Sequence, residues 1–572
     1  MDYKKVYSDW LGNENLNKEA RQELLSIKDN ENEIEYRFGA ELQFGTAGMR
    51  GIIGYGTNMM NVYTVKRASK GLSEYIKTLG VEAMNRGVVV SYDTRKNSSL
   101  FAKATASVLI ANGIKVRIFK NPSPVPMLSF AVRSFNAIAG VMITASHNPK
   151  EYNGYKVYGE DGAQMSPQAT KIVVDFIEKT NYFDIASADI CCLKNSKLLK
   201  VLGNSFTDKY VKTLTKLSLS KSVVKKQGKN LKIVYTPLHG TGFIPVTKVL
   251  KKLGINYTLV EEQVVEDSSF STVEVPNPEN KEAMTLGVKL ANSIGADVVF
   301  GTDPDSDRLG VAIRNDSGEF INLSGNQVGV LLSNYVLTRL KEDNKLPKDG
   351  VIIKSFVSTG MIKPICEDFG VTLKEVPVGF KFIGEQIKLM EENKNGTFLF
   401  GFEESCGYLR GTHARDKDAV VASMLFAEMV CYYESIGTSV YKILTGLYEK
   451  FGYAKEQTVS INYKGLSAMA DMEKVVDKVR NTKIDEVNGY KILAVRDYLT
   501  GVKTYSNGEV EEIAIKNVNC IYFELSGGGF ICLRPSGTEP KLKIYYSILG
   551  ENEKSVQETF EKISQGFKEF LG

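Results

Sequence analysis

The sequence contains no Cys-x-x-Cys pair, and its seven cysteines (Cys191, Cys192, Cys366, Cys406, Cys431, Cys520, Cys532) are odd in number. Both facts argue against a disulfide framework and a zinc site, and a reducing cytosol is the expected home. No stretch approaches the roughly 20 apolar residues that span a bilayer. The opening residues, MDYKKVYSDWLGNENLNKEA, lack an apolar signal core, so neither export nor a membrane partner is expected. A dense block of one charge is also missing: 72 Lys+Arg stand against 67 Asp+Glu, a formal charge of +5. Nothing in that balance calls for nucleic acid. Nucleotide fingerprints are absent as well, with no GxxxxGK[ST] and no GxGxxG between a strand and a helix, which removes support for ATP or NAD dependence.

What is present is ordinary globular material, 43% hydrophobic, 24% charged and 10% aromatic over 572 residues. That length exceeds what one core can serve, so several domains are expected. After a polar, helical leader to about residue 40, apolar strands alternate with helical periodicity, the pattern of sheets flanked by helices. One unit has strands at Gly87–Asp93, Ile114–Phe119 and Ile138–Thr144. A second repeats the plan from Lys232, Asn256 and Asp297, and a third from Val351, Val371 and Thr397. The last stretch carries strands near VSINY, YKILAVRDYL, CIYFEL and GGFICLRP and a closing amphipathic helix, an α+β arrangement. The fold class is therefore α/β: three similar mixed α/β domains plus a C-terminal α+β domain, with boundaries expected at 1–205, 206–318, 319–450 and 451–572.

In each repeated unit the third strand runs into a polar loop, where side chains project while the strand behind holds them still. The first loop is Thr144-Ala145-Ser146-His147-Asn148-Pro149. It lacks the Gly-x-Ser-x-Gly elbow of hydrolases, and no acid is evident to orient the histidine, so Ser-His acyl transfer is a poor reading. The second, Asp303-Pro304-Asp305-Ser306-Asp307-Arg308, sets three carboxylates on alternate residues after a buried apolar run. They repel unless a cation sits among them, and an all-oxygen set suits Mg²⁺. An EF-hand is excluded, because Arg308 and Arg314 occupy the glycine and glutamate positions of that loop. The third, Gly401-Phe402-Glu403-Glu404-Ser405-Cys406-Gly407, offers a carboxylate and a hydroxyl for two sugar hydroxyls, with Arg415 and Lys417 as cations downstream. Near the end, Arg534-Pro535-Ser536-Gly537-Thr538 combines an arginine fork, two hydroxyls and a glycine turn, a compact phosphate cradle. Two more segments have the same flavour: Phe44–Gly51, a glycine-rich turn with Arg50, and Val378-Gly379-Phe380-Lys381-Phe382, a glycine beside an aromatic pair.

Together, FGTAGMRG, TASHNP with NGYK, GTDPDSDR, VGFKFIG, GFEES with RDKDAV, and RPSGTEP resemble, in order and from about residue 41 to 545, the α-D-phosphohexomutase superfamily. The match is closest to its bacterial-type phosphoglucomutase/phosphomannomutase branch; the leader lies outside it. The resemblance implies four domains around a central cleft, the first bearing a phosphoserine, the second a metal, the third the sugar and the fourth a phosphate. Ser146 would carry the phosphoryl group and join Asp303, Asp305 and Asp307 around Mg²⁺. Glu403 and Ser405 would grip sugar hydroxyls, with Gly379, Phe380, Lys381 and Arg415 also at the substrate. Arg534, Ser536, Gly537 and Thr538 would hold the non-transferring phosphate. Proton transfer falls to His147, Lys156 and Lys417 with Arg50, undivided between acid and base. The implied reaction interconverts glucose 1-phosphate and glucose 6-phosphate through glucose 1,6-bisphosphate, which is also the activator. A phosphomannomutase or phosphopentomutase of the same architecture is the alternative, and a non-catalytic sugar-phosphate sensor the reading from another class. Sugar phosphates are the expected partners, and the chain is expected to act as a monomer.

Overall fold

Each of the three apolar strand triplets pairs up within one sheet in the computed structural model, which describes residues 2–45, 48–189, 196–463, 467–536 and 541–571. In the first, Val88–Tyr92 lies between Val116–Phe119 and Ala139–Ile143 and runs parallel to both. In the second, Ile233–Thr236 lies likewise between Tyr257–Leu259 and Val298–Thr302. In the third, Gly350–Ser355 lies between Thr372–Val376 and Thr397–Glu403. The three share one topology: the first strand of each triplet is central, the third lies beside it, and parallel pairing makes each crossover pass through a helix. The central strands are buried along their whole length, which is why they read as unbroken Val/Ile runs rather than alternating ones.

The first sheet continues beyond Ala139–Ile143 with two antiparallel strands, Tyr152–Gly159 and then Gly48–Ile52. The second sheet continues in the same direction with Leu309–Arg314 and Phe320–Leu323. The segment around Arg50, expected as a glycine-rich turn, is thus partly an edge strand. Its pairing is with residues about a hundred positions away, which no local pattern announces. Gly48 has φ +149°, and a Cβ there would stand 2.1 Å from the Tyr155 carbonyl oxygen, so only glycine lets the two strands approach.

The leader forms three helices, Tyr3–Gly12, Lys18–Ser26 and Glu31–Phe38, each started by a side-chain cap from Asp2, Asn17 or Asn30. They gather around the single Trp10, which meets Phe38 and Tyr63 edge-on at 5.6 Å each.

The chain divides into two compact units. One comprises Met1–Ser324, Ile383–Lys394 and Cys406–Ser435; the other comprises Gly325–Phe382, Asn395–Ser405 and Ile436–Gly572. The second contains the C-terminal antiparallel sheet, whose order is Tyr453–Asn462, Lys541–Gly550, Gly529–Pro535, Ile521–Leu525, Tyr490–Asp497, Val502–Tyr505, Val510–Glu512. Helices Ala468–Asn481 and Glu553–Leu571 cover it, burying Met472, Val476, Phe560 and Phe567 against Ile531 and Ile544. Among the described residues, no single helix is long and apolar enough to cross a membrane.

Candidate active site

All three third-strand loops bend through a left-handed residue that is not glycine. Ser146 has φ +53°, Ser306 +55° and Cys406 +58°. Such residues are uncommon and persist where surrounding bonds over-determine them, which marks these loops as shaped for a purpose.

In the first unit, the Ser146 N–H is held by Thr144 Oγ1 at 2.8 Å. Its hydroxyl, 4% exposed, donates to Asp303 Oδ2 at 3.0 Å and lies 3.2 Å from His147 Nδ1. Thr144 Oγ1 in turn donates to Asp305 Oδ2 at 3.2 Å, so one threonine fixes both the serine backbone and an aspartate. Asp303, Asp305 and Asp307 are buried, and one carboxylate oxygen from each lies within 4.8 Å of the others. Asp303 Oδ1 accepts the N–H groups of Asp307 and Arg308, at 3.1 and 3.0 Å, which curls the loop around it.

Burial, and after it the neighbouring carboxylates, push Asp303 and Asp307 above the ordinary range. Asp305 goes the other way: burial would raise it, but Lys156 and Lys417 hold it below. Asp305 Oδ1 and Asp307 Oδ1 are buried without a hydrogen-bond partner. Unpartnered buried carboxylate oxygens are costly, and an oxygen-only cluster containing two of them fits a hard divalent cation.

Cations surround the group. Lys156 Nζ is 2.9 Å from Asp305 Oδ2. It projects from the strand that pairs with Gly48–Ile52, where Arg50 stands opposite Gly154. Strand alternation puts Arg50 and Lys156 on one face, and Arg50 donates to Asn148 Oδ1 at 2.9 Å. Lys417 Nζ lies 3.1 Å from Asp307 Oδ2 and 3.2 Å from Asp416 Oδ1. Its stem crosses Gly407, where a Cβ would come within 2.1 Å of Lys417 Cδ. The flanking aspartates hold that geometry: Asp416 accepts from Tyr158, and Asp418 accepts from Tyr210, Val420 N and Val421 N at the start of the helix Ala419–Ser435. His147 is held neutral, well below the usual imidazole value, by burial and then by Arg308 and Arg50.

The second unit brings together a different set. Glu403, 4% exposed, accepts the Gly379 N–H at 2.7 Å. Gly379 has φ +124°, a conformation L side chains rarely adopt. Ser405 is half-buried, Phe380 is buried, and Lys381 lies in the first turn of the helix Phe380–Asn393. The neighbouring Glu404 accepts from Ser355 and Ser358 at 2.9 and 3.2 Å, while Ser358 Oγ accepts the Glu404 N–H at 3.0 Å. These serines anchor the loop and carry no motif signal of their own. Arg534 is half-buried on Gly529–Pro535, and Ser536 N donates to Lys541 O at 2.8 Å. Gly537 and Thr538 lie outside the described residues.

Arg415, expected at the substrate, is buried. It is 1% exposed, with its guanidinium bonded to Glu391 and to the Thr412 carbonyl. A buried guanidinium bonded to Glu391 and to a main-chain carbonyl braces its own loop.

Sequence profiles for the α/β/α domains I, II and III of phosphoglucomutase/phosphomannomutase match residues 41–183, 208–318 and 324–451. A phosphoglucomutase of Staphylococcus haemolyticus is 36% identical over 543 residues, covering 94% of each chain. One from Staphylococcus aureus is 38% identical over 525 residues, 91% of this chain and 92% of its own. Among solved structures, a phosphoglucomutase/phosphomannomutase family protein from Burkholderia thailandensis superposes with a TM-score of 0.65 at 17% identity, over 92% of this chain and 96% of its own. The Paramecium phosphoglucomutase parafusin, in its open form, gives 0.66 at 18%, over 92% and 94%. The chain belongs to the phosphoglucomutase/phosphomannomutase family of the α-D-phosphohexomutase superfamily and is an isomerase of the mutase type.

Proposed function

We propose that this enzyme is a magnesium-dependent phosphoglucomutase of the cytosol, acting as a monomer, with Ser146 as its phosphoryl carrier. The observation that carries the reading is the Ser146 hydroxyl, hydrogen-bonded at 3.0 Å to one of three clustered, buried aspartates. Phosphoryl transfer asks little covalent help beyond a carrier; it needs positioned donors and neutralised charge. Asp303, Asp305 and Asp307 would hold Mg²⁺ together with the Ser146 phosphate. When bound, the ion would draw off charge that develops on the transferring oxygens.

The chain's own groups do the rest. In the phosphorylated enzyme, the free 6-hydroxyl of glucose 1-phosphate attacks phosphorus and gives up its proton. The P–Oγ bond breaks, and Ser146 Oγ takes up the electron pair and a proton. The resulting glucose 1,6-bisphosphate turns over, and Oγ, losing its proton, takes the 1-phosphoryl group while the sugar oxygen is released as a hydroxyl. His147, Lys156 and Lys417 with Arg50 are the groups available to move those protons. Neutral His147, 3.2 Å from Oγ, is in reach of the serine. Glu403 and Ser405, braced by Gly379, would bind the sugar hydroxyls, and Phe380 and Lys381 shape that turn. Arg534, Ser536, Gly537 and Thr538 would hold the phosphate that is not being transferred.

A coupled assay with Mg²⁺ and a trace of glucose 1,6-bisphosphate tests this, comparing glucose 1-phosphate, mannose 1-phosphate and ribose 1-phosphate. Preferred turnover of glucose 1-phosphate supports the reading. Preference for another sugar keeps the mechanism and changes the substrate, and turnover of none overturns it in favour of a sensor.

A further inference from the structure

The loop carrying Ser146 is held from beneath by a residue that no motif singles out. Arg95 follows the strand Val88–Tyr92 and is 3% exposed. Its Nη1 donates to the carbonyls of Pro149 and Tyr152, at 2.8 and 3.1 Å. Its Nη2 donates to the carbonyls of Ser146, at 2.6 Å, and of Asn148. One guanidinium therefore gathers four carbonyls from a seven-residue loop, beginning with that of Ser146 itself. Its charge is countered by Asp93, whose Oδ2 lies 3.3 Å from Arg95 Nε. Asp93 is fixed in turn by Ser98 Oγ at 2.6 Å and by the Arg95 N–H at 3.0 Å. The open face of the guanidinium is covered by the Phe270 ring at 5.0 Å. His239 lies beside that ring and is itself held by Val265 O and Thr272 Oγ1.

Four carbonyls turned toward one point are mutually repulsive without a cation. A planar fork with five N–H donors satisfies them together; an ammonium, with three donors and no plane, does not. The clamp also fixes Ser146 in the left-handed region, which a non-glycine residue rarely adopts. That backbone conformation aims Oγ at Asp303.

We propose that Arg95 is a positioning residue for phosphoryl transfer: by binding the carbonyls of Ser146, Asn148, Pro149 and Tyr152 it sets the Ser146 hydroxyl against the aspartate cluster. The inference rests on Ser146 being the carrier. A misplacement of about 1 Å costs about 10²-fold in rate, so Arg95→Lys in the full-length enzyme should lower kcat by about 10-fold to 100-fold. KM for glucose 1-phosphate should stay within about 2-fold, because this residue is buried and bonded to main-chain carbonyls of the loop. Transfer from glucose 1,6-bisphosphate to Ser146, followed by intact-protein mass spectrometry, should slow in parallel. Phe270→Leu, which removes the ring but leaves the fork, should shift kcat in the same direction by less. If Arg95→Ala folds, millimolar guanidinium ion should restore part of its kcat.

Wild-type kcat in Arg95→Lys overturns the proposal, as does a raised KM with unchanged kcat. So does a loss of kcat no larger than the loss of folded protein by circular dichroism at the assay temperature. Ser146→Ala run in the same series separates the two failures. If that variant keeps its activity, the carrier assignment falls. If it is dead while Arg95→Lys is fully active, only the clamp falls.

Discussion

Lys417 Nζ stands 3.1 Å from Asp307 Oδ2, and the Lys417 stem runs over Gly407 to get there. The contact joins the loop after the third triplet to the aspartate loop of the second, within one compact unit. It also sets a cation in competition with the divalent ion that the aspartates suit. Replacing Lys417 with methionine should therefore tighten Mg²⁺ binding by several-fold, through lost repulsion, while lowering kcat by about 10²-fold or more if it moves protons as proposed above. Calorimetric titration with Mg²⁺ and steady-state kinetics on the same preparation check both signs. Weaker Mg²⁺ binding would show that Lys417 supports the metal site instead.

Asp305 is the cluster member that its surroundings keep ionised, against burial, through Lys156 and Lys417. Asp305→Asn should weaken Mg²⁺ binding by more than about 10-fold, the loss that disturbing even a ligand's supporting partner causes. Far-ultraviolet circular dichroism should be unchanged. Unaltered affinity would remove Asp305 from the metal set.

Gly379 meets Glu403 through a backbone hydrogen bond of 2.7 Å at a φ of +124°. Gly379→Ala should cost about 1–3 kcal/mol of local strain, move the loop and raise KM for the sugar phosphate more than it lowers kcat. Glu403→Gln keeps the acceptor but loses the charge, and should raise KM by less. An effect of either variant on kcat alone would place this loop elsewhere in the cycle.

A pH dependence arises in the second unit. Burial pushes the Glu456 carboxyl up from 4.5 to about 7, with partial relief from Thr359 and Asn326, and its Oε1 has no hydrogen-bond partner. The folded state thus binds this proton more tightly than the unfolded chain. Glu456 imposes no penalty below about pH 4.5, and stability declines as pH rises from there to about 7, beyond which the penalty is constant. Glu456→Gln should melt higher than wild type at about pH 8, with the gap closing toward about pH 4.5. Melting curves that keep a constant offset across that range would contradict the assignment.

The central strands were legible because strands buried on both faces read as Val/Ile runs; Val88–Tyr92 and Ile233–Thr236 are examples. The loops after the third strands stood out because three alternating carboxylates, or a serine before a histidine, are chemically conspicuous. Gly48–Ile52 was hidden because its strand character comes from Tyr152–Gly159. Arg95 was hidden for a related reason: its partners are backbone carbonyls, which carry no side-chain signature and converge only in the folded loop. The Arg415 pairing with Glu391 was not legible, because an arginine beside a polar loop looks the same in sequence whatever its guanidinium meets.

The carrier role of Ser146 is tested most directly by incubating the full-length enzyme with Mg²⁺ and glucose 1,6-bisphosphate, mapping the phosphoryl group by peptide mass spectrometry, and then adding glucose 1-phosphate. The expected result is a single phosphoryl group on the peptide containing Ser146, discharged by the sugar, with none on Ser146→Ala and a loss of mutase activity of at least about 10³-fold in that variant. A phosphoryl group on another residue, or turnover that survives Ser146→Ala, would contradict the account.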